Sequence, residues 1–352
     1  MFRFALRRCA LVAVALAALL VAPRPAAADD ALTLIGGSVP TGFFEVLDAV
    51  ADRAGFFKEQ HLNVTLEYVQ GAGLAAQLVA GGKGDVCSLA LEPIIQGYEK
   101  GLHLTAFFSR DPVYDYALGV LSDSPIKTLA DFKGATIGEI SPNSPAEIST
   151  NSMLQGAGLA KNDVAYTVIG SGAQAISALT THKVAAAAFP YPELLIYEAT
   201  AHLSFRYFHH PILKDVPNVG YAASPLALQT KADALMRFAR AHVMAAILIR
   251  ENPRLAARYY LENAGIKVTD DALAAEEHLL AFSQNQLPGV DPTSKTIGYM
   301  SPRGLQIYSQ FMADNGLTKG VVPISAVLTN QFIGPANDFD HLAFIKRVKA
   351  MR

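Results

Sequence analysis

Residues 69–93 read VQGAGLAAQLVAGGKGDVCSLALEP, and residues 168–192, VIGSGAQAISALTTHKVAAAAFPYP, lie over them without a gap. Val69 meets Val168, Gly71 meets Gly170, Gly73 meets Gly172, Ala76 meets Ala175 and Pro93 meets Pro192. Five identities are few in a chain rich in alanine and glycine. The order of the pieces agrees as well: an apolar strand, a glycine turn, a helix, a buried strand and a proline-started helix. A strand, a helix and a further strand form the repeating unit of a parallel sheet with crossover helices. Its use twice predicts two similar doubly wound α/β lobes that face one another.

The flanking sequence fits the same pattern. Upstream, Leu32-Thr33-Leu34-Ile35 is a first strand ending in Gly36-Gly37-Ser38, followed by a helix over Phe43 to Ala54. Val64, Leu66 and Tyr68 then alternate with Thr65 and Glu67 as a second strand, and Val86 to Leu89 is a third. Strands are expected around Leu104 to Phe108 and Tyr116 to Leu121. A second series begins with Asp131-Phe132-Lys133-Gly134 and a strand from Ala135 to Gly138. Ser144, with Pro145 next and Glu147 three places on, is a capping-box helix start, and Gly158 ends that helix. Strands Val164 to Ile169 and Val184 to Ala188 follow, and Val219 to Ala223 returns the chain to the first lobe. The remainder is mostly helical, with Met236, Ala239, Val243, Ala246 and Ile247 on one face. The division expected is 29–121 with 219–352 as lobe 1, and 122–218 as lobe 2.

The first 28 residues read as an export signal: Arg3, Arg7 and Arg8, an apolar run from Ala10 to Ala22, and Ala26-Ala27-Ala28 as the cleavage site. The apolar run falls short of the ~20 residues that span a bilayer. Cleavage after Ala28 is expected, with a periplasmic product; Arg7-Arg8 leaves general and twin-arginine export both open. Cys9 precedes the apolar run, where a lipid-anchored cysteine would follow it, so Cys87 is left alone in an apolar run as a small core residue. Loss of the signal leaves 25 basic against 31 acidic residues, a balance that does not suggest nucleic acid.

In open parallel sheets ligands gather beyond the carboxyl ends of the strands, where helix N-termini expose backbone N–H groups. The candidates are Ser38, Val39, Gly71, Gly73 and Glu92 in the first lobe, and Glu139, Ser141, Asn143, Ser144, Phe189 and Tyr191 in the second. Arg110, at the end of a first-lobe strand, is the candidate anion clamp. Each has a plainer reading. Gly71 and Gly73 could serve only a tight turn, Ser144 only a cap, and Phe189 and Tyr191 could pack into their own lobe. Glu92 and Glu139 are more economically read as solvated loop acids, because an unpaired carboxylate is costly to bury. His209-His210 reads as a pair of surface histidines, since adjacent side chains in an extended segment point apart and no carboxylate or cysteine stands at ligand spacing.

Gly55-Phe56-Phe57 with Leu62-Asn63-Val64, Gly82-Lys83-Gly84-Asp85-Val86, Leu129-Ala130-Asp131-Phe132-Lys133-Gly134, and Gly158-Leu159 before Asp163-Val164 form an ordered set. Over Leu32 to Leu248 the chain resembles the aliphatic-sulfonate, taurine, nitrate and thiamine-pyrimidine-precursor binding proteins of ABC importers. The resemblance implies a type II periplasmic-binding-protein fold with two crossovers between lobes. It also implies a small organic ligand held in the cleft, and permease and ATPase subunits as partners. The family's usual contacts fall here on Ser38, Gly71, Glu92 and Ser141 to Ser144. A monomer without cofactor or metal is expected. The loops bring glutamates and aromatics where sulfonate or nitrate binders would bring cations, which favours a neutral or amine-bearing ligand. Two other classes share the fold: a periplasmic sensor for a membrane receptor, and enzymes of thiamine-pyrimidine or menaquinone synthesis. An export signal and a single mature cysteine argue against the enzymes.

Overall fold

The computed structural model describes residues 29–37, 45–69, 71–111, 114–142, 144–213, 216–286, 293 and 295–352. The proposed signal segment lies outside them. Among the described residues, no helix is long and apolar enough to cross a membrane.

Ten strands form two five-stranded sheets. The first contains β1 (Asp30–Gly36), β2 (Leu62–Tyr68), β3 (Val86–Ala90), β4 (Thr105–Asp111) and β10 (Val219–Ala223), in the order β2-β1-β3-β10-β4. The second contains β5 (Tyr116–Leu121), β6 (Thr136–Glu139), β7 (Ala165–Val168), β8 (Ala186–Pro190) and β9 (Phe205–Phe208), in the order β7-β6-β8-β5-β9. The two orders are the same pattern, and the repeated segments occupy the same place in each: β3 and β8 are both central and buried. In each sheet the fourth strand runs antiparallel to its neighbours, β10 against β3 and β4, β5 against β8 and β9. Helices cover both faces of each sheet, giving two buried clusters per lobe.

Two sequence-based expectations need correction. The sequence pattern puts Tyr116–Leu121 in the first lobe, but its hydrogen bonds go to β8 and β9, so the chain crosses between Asp111 and Tyr116. Its run of small and branched residues fits any buried strand, and only pairing decides which sheet takes it. Strand β9 was not expected at all. It is a four-residue edge strand whose Phe205 packs inward, and aromatic β-propensity in Phe-Arg-Tyr-Phe was its one signal.

The crossovers place the two lobes edge to edge. Only residues 112–115 separate β4 from β5, so Asp111 and Tyr116 stand no more than ~17 Å apart, at roughly 3.3–3.6 Å per residue. Residues 209–218 make the second crossover, from the end of β9 to the start of β10. Both join the edge where β1 to β4 end to the edge where β6 to β9 end.

The C-terminal helices brace the first lobe. Helix Ala232–Glu251 lays Phe238 and His242 against Tyr221 and Phe108 of the sheet. Asp48, fully buried, accepts from Tyr221 Oη at 2.5 Å and stands 2.9 Å from His242 Nε2. On the other face, helix Pro302–Asp314 packs Leu305, Tyr308, Phe311 and Met312 among Cys87, Leu91 and Ala222.

Candidate functional site

The first-lobe edge starts at Gly37, where a side chain would stand 2.7 Å from the Cα of Ala72. The end of β1 therefore lies directly on the start of helix Ala72–Ala80, and Gly71 N–H donates to Gly37 O at 3.2 Å. Gly71 sits at φ 115°, which only glycine adopts without strain. Gly73 lies inside the helix with open space about it among the described residues. Ser38 and Val39 lie outside the described residues.

Glu92 opens helix Glu92–Glu99 and is 9% exposed, not solvated as expected. Its Oε1 accepts from the Tyr308 hydroxyl, and its Oε2 is buried without a hydrogen-bond partner among the described residues. Burial pushes its carboxyl above the ordinary range, against the pull of the Tyr308 bond. Tyr114 packs against Tyr116 at 5.0 Å and against Tyr308 at 5.6 Å, completing a tyrosine cluster beside Glu92.

Arg110 is not an open anion clamp. Its Nη1 donates to Ser88 Oγ at 2.9 Å and stands 3.8 Å from Glu45 Oε2, while Nε is 3.7 Å from Asp111 Oδ2. Its charge already lies between two acids, Glu45 being brought in by the start of helix Val46–Arg53. Sequence alone could not place Glu45 there, because 65 residues separate the pair.

The crossovers are tied to each other and to both lobes. Asn218 donates through its side chain to Asp115 Oδ1 and through its backbone to Asp111 O at 3.0 Å, and accepts from Leu91 N–H at 3.1 Å. Tyr191 N–H donates to Asp115 O at 2.5 Å. The Tyr114 hydroxyl donates to Pro145 O at 2.9 Å, at the start of a second-lobe helix. Asp115 is 3% exposed, and burial, then the charge of Asp111, drives its carboxyl well above the ordinary range. His210, buried rather than on the surface as expected, stands 3.3 Å from Ser152 Oγ and meets the ring of Phe311 at 5.2 Å. Sequence reasoning missed Tyr114, Asp115, Asn218 and Tyr308. The run Asp111-Pro112-Val113-Tyr114-Asp115-Tyr116 was a visible signal for the first two, being polar and aromatic between two apolar strands.

In the second lobe, Ser144 caps helix Pro145–Gly156, accepting from Glu147 N–H at 3.2 Å, as its plainer reading required. Ser141 is exposed, and Asn143 lies outside the described residues. Glu139, the last residue of β6, is 4% exposed and likewise not a solvated acid. Burial, then the Glu147 carboxylate beside it, pushes its carboxyl up to about 7, and its Oε2 has no hydrogen-bond partner among the described residues. Asn151 links Glu147, at 3.4 Å, to the Tyr166 hydroxyl, at 2.9 Å. Phe189 is no cleft wall: it is fully buried in the lobe and meets Tyr197 at 6.2 Å, because its place on the central strand points it into the core. Tyr191 is half-buried, its ring edge-on to Tyr207 at 4.8 Å and His209 at 4.9 Å.

The two facing edges thus carry buried acids, tyrosines and helix starts, supplied by both lobes and both crossovers. A family model described as NMT1/THI5 like matches residues 47–256, more than half of the chain. The chain belongs to the NMT1/THI5-like family. Among curated proteins, none matches it. Solved structures agree on the fold. This NMT1/THI5-like chain is similar to a protein from Bordetella bronchiseptica RB50, at 21% identity over 88% of this chain and 97% of that one, TM-score 0.65. It is similar to the periplasmic aliphatic sulphonate binding protein SsuA from Escherichia coli, at 17% identity over 84% of this chain and 91% of that one, TM-score 0.64. The desulfurization enzyme DszB also matches, at 15% identity over 87% of this chain and 98% of that one, TM-score 0.57. The architecture is therefore the type II periplasmic-binding-protein fold, on which both binding proteins and an enzyme are built.

Proposed function

We propose that the mature chain is the extracytoplasmic solute-binding component of an ABC-type importer. It captures a small organic molecule between its lobes and hands it to a membrane permease driven by an ATPase subunit. The observation that carries this reading is the joining of two like sheets, edge to edge, by two crossovers, with helix starts and polar side chains from both on the facing edges. Such an arrangement closes by rotation about the crossovers and buries a small molecule from both sides. The family supports it, as does the export signal read from the first 28 residues.

Capture rather than transformation is supported by the state of Cys87. Its side chain is fully buried on β3, and burial pushes the thiol up to about 12, which removes the nucleophilic thiolate. Ser144, the best-placed serine, uses its hydroxyl as a helix cap.

The test is thermal unfolding of the mature chain from Asp29, refolded to strip carried ligand, against amines, pyrimidines, sulfonates, nitrate and aromatic carboxylates. A compound that binds only the folded state at a hundred times its Kd adds about 2.7 kcal/mol of stability. The reading predicts a rise of several degrees for one chemical class. No rise with any class contradicts it.

A further inference from the structure

We infer that Glu139 and Glu147 hold one proton between them, and that this proton is a switch on the second-lobe edge. With it in place, the first turn of helix Pro145–Gly156 stays joined to the end of β6. Its loss to water sets two carboxylates against each other and loosens that turn. Neither state needs a bound solute.

The directions of the hydrogen bonds set the proton count. Glu139 ends β6, Glu147 is the third residue of the helix, and their side chains are hydrogen-bonded to one another. Two ionised carboxylates offer acceptors only, so a bond between them needs one proton. The Tyr166 hydroxyl donates to Asn151 Oδ1 at 2.9 Å, and Asn151 Nδ2 donates in turn to Glu147 Oε1 at 3.4 Å. Glu147 therefore receives from both sides, as an ionised carboxylate does, and Glu139 is left as the donor.

The surroundings divide the proton the same way. Glu147 is half-buried in the first turn of a helix, where unpaired N–H groups favour negative charge. Glu139 is buried with Val168 and Ala188 as its strand neighbours, a setting that disfavours the charged form. Burial, then the Glu147 charge, holds its carboxyl at about 7 against an ordinary 4.5.

The other titratable groups around the helix take different parts. Burial, then the charges of Glu147 and Glu139, push the Tyr166 phenol up, so it remains a donor. Tyr116 on β5 is likewise pushed up by burial. His210, which meets Ser152 of the helix, is held down by burial. Asp131, in the short turn Leu129–Phe132 against the helix, is held low by the backbone N–H groups of Lys127 and Thr128. The Tyr114 hydroxyl, from the first crossover, donates to Pro145 O at 2.9 Å, so a shift of the first turn also disturbs a tie between crossover and second lobe.

Opening of the turn returns Glu139 to an ordinary carboxyl. Between pH 4.5 and about 7 the closed turn holds a proton that the open turn has released. Opening therefore becomes easier by up to about tenfold per pH unit across that window and levels off above it. Hydrogen exchange read by mass spectrometry on the refolded mature chain tests this, with rates corrected for the intrinsic effect of pH. Protection over residues 146–152 is expected to fall by at least about tenfold from pH 5 to pH 8, and by less over residues 173–180. Glu139→Gln and Glu147→Gln each set a permanent amide donor against the remaining carboxylate, so in both the fall should shrink to under about twofold. Infrared spectra in a Glu276→Gln background, which removes another carboxyl at about 7, should show a neutral carboxyl lost over the same range and missing from Glu139→Gln. Equal protection at pH 5 and pH 8 in the parent overturns the switch. A fall that both Gln variants keep, or a neutral-carboxyl band that Glu139→Gln leaves unchanged, overturns it as well.

Discussion

Replacing Asn218 by alanine is the most direct probe of how the crossovers are held. Asn218 is 2% exposed, and its side-chain amide is the hydrogen-bond donor to Asp115 Oδ1, across the two crossovers. Asp115 Oδ2 has no hydrogen-bond partner among the described residues, so the substitution strips the buried carboxyl of its side-chain bond altogether. The backbone bonds of residue 218, to Asp111 O and from Leu91 N–H, survive the change. A hydrogen bond contributes about 0.5–1.5 kcal/mol to a neutral group and about 1.5–3 kcal/mol to a charged one, and stranding a buried acceptor costs about 1–3 kcal/mol. Asn218→Ala is therefore expected to destabilise by about 2–3 kcal/mol. The chain contains no tryptophan, so urea unfolding is best followed by circular dichroism at 222 nm. In a cycle with Asp115→Ala, the coupling between the two sites should be at least about 1 kcal/mol. A loss below about 0.5 kcal/mol, or sites that simply add, would refute the idea that this pair locks the crossovers.

Two further outcomes follow from burial. Phe189→Ala is expected to cost about 3–5 kcal/mol, as for a large side chain deleted from a packed core, which denaturant unfolding measures; a loss under about 1 kcal/mol would return Phe189 to the cleft. Glu139 and Glu276 both stand at about 7 against an ordinary 4.5, raised by burial first. Between those values the folded chain holds protons that the unfolded chain has released, so stability falls as pH rises from about 4.5 to about 7 and levels off above. Melting temperatures across that window should show the fall, and Glu139→Gln with Glu276→Gln should flatten it; a slope those variants leave unchanged contradicts the assignment.

Most of the strands were legible because β1, β3 and β8 carry apolar runs bounded by glycine or proline, and local pattern suffices for such elements. The duplication between 69–93 and 168–192 carried the architecture, and both segments take equivalent positions in their sheets. What stayed hidden depends on pairing at a distance. Tyr116–Leu121 could join either sheet, and its partners lie about 70 and 90 residues further along. The site was legible as a set of loops but not in its charges. Glu92 and Glu139 looked solvated because nothing local buries them; Tyr308, 216 residues on, covers the first, and the start of helix Pro145–Gly156 stands over the second. Arg110 looked like a clamp because Glu45 reaches it from another element. Phe189 looked like a wall because the apolar run reads as ending at Ala188, whereas the strand continues through Pro190 and turns Phe189 into the core.

The central claim is that two lobes close on a solute between them. Gln77 and Ser177 are exposed, on equivalent helices of the two lobes, and both can be replaced by cysteine for spin labels. Cys87, buried with its thiol pushed up to about 12, stays unlabelled. The measurement is the distance between labels on Gln77→Cys and Ser177→Cys by pulsed electron resonance, with and without the compound that raises the melting temperature most. The account predicts a distribution that shifts to a new, narrower distance when calorimetry shows the site to be full. An unchanged distribution at full occupancy would contradict it, placing the bound molecule elsewhere than between the lobes.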